Sequence, residues 1–74
     1  MAPLPVVSGR ELAKALAKVG FVLDRQKGSH MVLRQSVSPF RRITVPDHKE
    51  VAKGTLRSIL RSAGVSPEEL NELL

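Results

Sequence analysis

Cysteine, tryptophan and tyrosine are absent from these 74 residues, and only Phe21 and Phe40 are aromatic. Without cysteine there is no disulfide framework and no thiolate metal site. Two aromatics do not make a stacking platform for unpaired bases. No apolar run exceeds a few residues, so no segment reads as membrane-spanning. Pro3 and Pro5 interrupt the N-terminus and no apolar stretch follows, which predicts no signal peptide and a cytoplasmic setting. Acids are scarce and unevenly placed. All twelve Lys and Arg lie in residues 1–65 beside only four acids, whereas residues 66–74 hold three acids and no cation. A body this basic attracts polyanions through phosphate contact and counterion release. The plainer alternative is solubilising charge.

What remains is enough for one small domain spanning residues 1–74. Its hydrophobic content of 42% is that of a globular chain rather than a disordered one. Residues 1–7 read as an extended lead-in. Ser8 followed by Glu11 forms a capping box, which predicts a first helix over residues 9–19 with Leu12, Leu16 and Val19 as its buried stripe. Gly20 ends it. Residues 21–26 read as a strand, Lys27-Gly28-Ser29 as a hairpin turn with positive φ at Gly28, and residues 30–35 as a second strand. Alternation sends Met31 and Leu33 inward, and His30, Val32 and Arg34 outward. A third strand spans residues 41–45, with Ile43 and Val45 inward and Arg42 and Thr44 outward. A second helix spans residues 53–63 on the stripe Leu56, Ile59, Leu60 and Ala63, and Gly64 stops it. Ser66-Pro67-Glu68-Glu69 opens a short last helix with proline at its first position and a second capping box. The expected class is α+β: a three-stranded antiparallel sheet with helices on one face, in the order α-β-β-β-α, plus a short C-terminal helix.

The open sheet face is then cationic and carries a histidine. Cleaving RNA without a metal needs a base for the 2′-hydroxyl proton, cations around the crowded phosphorane and an acid for the leaving 5′-oxygen. Histidine suits both proton transfers near neutral pH, and arginine suits the phosphate. His30 is the catalytic candidate. Lys27, Ser29, Arg34 and Arg42 are candidate phosphate contacts around it. His48, in the loop after the third strand, either supplies the other proton step or is a solvated loop side chain. Lys53, Gly54 and Arg57 open the second helix, where free amides and the helix dipole favour an anion or simply begin a helix. Asp24, Asp47 and the two histidines have no recognised metal-ligand spacing, so neither a metal nor another cofactor is expected.

The chain resembles the HicA (YcfA-like) family of small toxins of type II toxin–antitoxin systems. The likeness runs through Ser8-Gly9, Gly20-Phe21, Arg25 to His30, Ile43-Thr44-Val45-Pro46, His48, Gly54 to Leu60 and Ala63-Gly64. It implies a fold like that of double-stranded-RNA-binding domains, and an mRNA interferase whose catalytic histidine is His30. It also implies a HicB-type antitoxin that covers the active face, a fit in keeping with an acidic inhibitor on a basic toxin. The free toxin is expected to be a monomer. The competing expectation is a module that binds duplex RNA by shape and phosphates without cutting it.

Overall fold

The computed structural model describes residues 3–74, so the first two residues of the expected lead-in lie outside the described residues. The elements follow in the order α1 (Gly9–Ala17), β1 (Phe21–Lys27), β2 (His30–Gln35), β3 (Arg42–Pro46), α2 (Lys53–Ala63) and α3 (Pro67–Leu73). The strands form one antiparallel sheet in the order β1-β2-β3. Helix α1 lies across β1 and β3, α2 packs beside β3, and α3 rests on α1. No helix among the described residues is long and apolar enough to cross a membrane.

Both capping boxes form. The Ser8 hydroxyl accepts from the Glu11 amide at 3.0 Å while the Glu11 carboxylate accepts from the Ser8 amide at 2.9 Å. The same exchange joins Ser66 and Glu69. Gly64 closes α2 with φ 72°, a backbone that side-chain-bearing residues rarely adopt. The apolar faces of sheet and helices meet in one core. Phe21, Leu12, Leu16, Leu33, Leu56, Leu70 and Val45 are essentially inaccessible at its centre.

Four details differ from expectation, the smallest being that β1 takes in Lys27, expected in the turn. Helix α1 stops at Ala17, and Val19 is 36% exposed. The amides of Lys18, Val19 and Gly20 bond the carbonyls three residues back, at Ala15, Leu16 and Ala17. That tighter turn rotates Val19 off the buried stripe. Strand β3 starts at Arg42 because Phe40 takes a left-handed backbone (φ 57°). It runs on to Pro46, which an edge strand tolerates. The last difference is a bulge in β1. Leu23 pairs with Leu33 and Arg25 with Val32, so Asp24 is the extra residue. Simple alternation from the buried Phe21 would turn Arg25 and Lys27 inward. Beyond the bulge they pair with the outward Val32 and His30, and Gln26 falls opposite Met31 on the other face, where it stays exposed.

Candidate active site

His30 is placed by a very short connection. Lys27 ends β1, Gly28 and Ser29 make the loop, and His30 begins β2 directly opposite Lys27. Gly28 has φ 59°. Because Met31 is buried at the next position, the pleat turns His30 to the open face, where it is exposed. Among the described residues none hydrogen-bonds or ion-pairs with its imidazole.

A cleft of about 380 Å³ opens beside it. His30, Thr44 and Pro46 line it from the sheet; His48, Glu50, Ala52 and Thr55 line it from the segment that leads into α2. The two walls are tied together through the backbone. The Asp47 amide donates to the Ser29 carbonyl at 2.6 Å, the Gly9 amide to the His48 carbonyl at 2.9 Å, and the Val51 amide to the Val7 carbonyl at 2.8 Å. Gly9 permits this approach. A Cβ there would overlap the Pro46 carbonyl oxygen and stand 2.9 Å from the Pro46 carbonyl carbon.

The Asp47 carboxylate clamps the same corner. It accepts from Arg10 Nε at 3.2 Å, Arg10 Nη2 at 3.4 Å and Gln26 Nε2 at 3.1 Å, joining α1, β1 and the loop that carries His48. The Arg10 hydrogen bond holds Asp47 below the ordinary aspartate range, against a smaller opposing effect of its partial desolvation. Sequence reasoning missed this clamp. Arg10 and Asp47 are 37 residues apart, and nothing local marks them as partners.

Helix α2 brings its N-terminus to the cleft. Ala52 gives no side-chain cap and the first turn holds no acid. The amides of Lys53, Gly54 and Thr55 therefore open a positive helix end next to Thr55 and Ala52 on the cleft wall. Lys53, Gly54 and Arg57 are exposed on that helix but do not line the cleft.

The cations of the open face fall into two groups. Arg34 and Arg42 sit opposite each other and share Asp24, at 3.9 and 3.3 Å. They lie roughly 13 Å along the strands from the histidine row, at about 3.3 Å per residue. Arg25 and Lys27 lie closer to His30, and among the described residues no carboxylate comes within ion-pair distance of either. Arg25 escaped sequence reasoning because the bulge decides its direction; Asp24, a poor strand former inside an apolar-led strand, was the available signal. Asp24 and Asp47 are both engaged by arginine. Among the described residues no three His, Asp or Glu side chains gather as a metal site would require.

A family model described as HicA toxin of bacterial toxin-antitoxin matches residues 9–65. The chain belongs to the HicA toxin family. No curated protein matches it. The matched stretch begins at Gly9, the residue seated against Pro46, and takes in α1, all three strands, the cleft and α2. Helix α3 lies outside it, although Leu70 of α3 is fully buried. As a HicA protein the chain is the toxin of a toxin–antitoxin pair, and the family implies an antitoxin partner.

Proposed function

We propose that this toxin is an mRNA interferase, a single domain that cleaves RNA by metal-independent histidine acid/base chemistry and so blocks translation. The observation that carries the reading is His30, exposed and without a partner among the described residues, on the rim of a cleft whose other wall is the uncapped N-terminus of α2. A phosphodiester in that cleft meets an imidazole on one side and the first turn of α2, at Thr55, on the other. Attack by the 2′-oxygen gives a crowded, highly charged phosphorane, which fixed donors stabilise without reorganisation. Lys27, Ser29, Lys53, Gly54 and Arg57 contact phosphates on either side of the scissile one. Arg34 and Arg42 bind a more distant phosphate once it competes with Asp24 for their guanidinium groups. The antitoxin is of HicB type and covers the cationic open face in the cytoplasm, where it meets the same groups that hold RNA.

His30→Ala tests the reading. The side chain is exposed and has no partner among the described residues, so the variant keeps its fold and its antitoxin. It loses RNA cleavage and growth inhibition, and the parent protein cleaves as well in EDTA as without it. A folded His30→Ala protein that remains toxic removes the catalytic role. Parent protein that binds RNA yet leaves it intact on long incubation is instead a duplex-RNA-binding module.

A further inference from the structure

We propose that His48 performs the second proton transfer of the cleavage reaction, across the same cleft as His30. The proposal rests on the ribonuclease reading above and adds to it the group that a single histidine leaves missing. In an in-line displacement at phosphorus the attacking 2′-oxygen and the departing 5′-oxygen lie on opposite sides of the phosphate. One imidazole cannot serve both at once. A second group must face the first across the space that holds the phosphate.

The fold brings two histidines to one cleft from distant parts of the chain. His30 starts β2 and His48 follows β3, yet both line the one cleft of about 380 Å³. That volume lies within the range of small-ligand sites, roughly 300–1,000 Å³. Both imidazoles are exposed and neither hydrogen-bonds or ion-pairs with another side chain among the described residues, although the charge of His48 acts on the neighbouring Asp47 carboxylate. The backbone on each side is fixed. The amide of Asp47 holds the carbonyl of Ser29, so the residues preceding the two histidines are bonded to each other, and Gly9 holds the His48 carbonyl from behind. An otherwise solvated loop histidine is thereby kept at a set place relative to His30.

The neighbouring acids are less suited to the task. Asp47 is occupied by Arg10 and Gln26. Glu50 also lines the cleft, but imidazole as a class is better suited than a carboxyl group to both directions of proton transfer. Imidazole alone among these groups both accepts and donates near neutral pH.

The balanced step is a transesterification. One neutral histidine takes the proton of the 2′-hydroxyl as the 2′-oxygen bonds to phosphorus. The bond from phosphorus to the 5′-oxygen breaks, and the other histidine, protonated, gives its proton to that oxygen. The products are a 2′,3′-cyclic phosphate and a 5′-hydroxyl. The two histidines have exchanged protonation states, and proton exchange with solvent resets them.

The test uses oligonucleotides with a single ribose at the cleavage point, one with the natural bridging 5′-oxygen and one with sulfur in its place. A thiolate departs without being protonated, so the sulfur substrate bypasses the acid. General acid and base groups each contribute about 10²–10⁴-fold. His48→Asn and His30→Ala are each expected to slow cleavage of the oxygen substrate by at least about 100-fold. Sulfur is expected to restore one variant and not the other, which also names the acid and the base. His48→Gln is run alongside, and thermal melts confirm that each variant is folded. Cleavage by folded His48→Asn and His48→Gln within about threefold of the parent overturns the proposal, because that is far below the contribution of a proton-transfer group. Restoration of both histidine variants, or of neither, overturns it as well. A parent protein that cuts neither substrate overturns the ribonuclease reading itself, an outcome distinct from failure at His48 alone.

Discussion

Alanine at Gly9 and alanine at Gly54 are the same chemical change and should have opposite effects. At Gly9 the new methyl group would overlap the Pro46 carbonyl oxygen and approach the Pro46 carbonyl carbon to 2.9 Å and Asp47 Cα to 3.1 Å. Comfortable carbon contacts are about 3.5–4.0 Å, and these neighbours are backbone atoms that cannot rotate away. The end of β3 must retreat, at the typical overpacking cost of about 1–3 kcal/mol. The retreat also weakens the bond from the Gly9 amide to the His48 carbonyl, worth about 1 kcal/mol net. Alanine's better helix propensity returns at most about 1 kcal/mol. The net loss is about 1–3 kcal/mol. At about 4–8 °C per kcal/mol for a chain of this size, Tm should fall by roughly 5–20 °C. At Gly54 a methyl group meets nothing within 4 Å, and the helical backbone already suits alanine. There the substitution should stabilise by up to about 1 kcal/mol. Calorimetric melts of the parent and both variants decide the matter. A Gly9→Ala protein that melts at or above the parent would refute the close-packing argument, and with it the account of how His48 is held.

Neutralising Arg25 and Lys27 together should flatten the dependence of RNA affinity on salt, by about 0.7 in the log–log slope per lost phosphate contact on a single strand. Neutralising Arg34 and Arg42 should flatten it less, because Asp24 already compensates them; filter-binding titrations showing the reverse order would contradict this division of the sheet face. Asp47 has a depressed folded-state value, so its contribution to stability is present above the ordinary aspartate value of 3.8 and is lost as pH falls through the folded one. Asp47→Asn should therefore flatten the acid limb of a urea-midpoint against pH plot, and superimposable limbs would show that the clamp is energetically silent. Ser66→Ala removes the cap of α3 and should cost about 1 kcal/mol in the global melt. An unchanged melt would mean that α3 frays independently of the body.

Much of the fold was legible because its signals are local. Each capping box occupies four consecutive residues, and the alternation of Met31, Leu33, Ile43 and Val45 directly encodes which face meets the core. The outward direction of His30 follows from the same count. The elements that build the site were harder to read because they depend on distant partners. Nothing near Asp47 announces Arg10 and Gln26, and nothing near Gly9 announces Pro46. The meeting of His30 and His48 depends on where β3 ends relative to the loop beside it. Val19 was misplaced for a local reason: three tightened hydrogen bonds end the helix before its apolar period does.

The bulge at Asp24 sets which charges the toxin shows to its surroundings. Because one strand residue is supernumerary, everything after it is read in the opposite phase. Losing that single position, with every other letter kept, would turn two cations to the face of the sheet that packs against the helices and a neutral amide to the open face. It would also strip two guanidinium groups of their counter-ion. In this strand the length of the chain is therefore as much a determinant of surface potential as its composition.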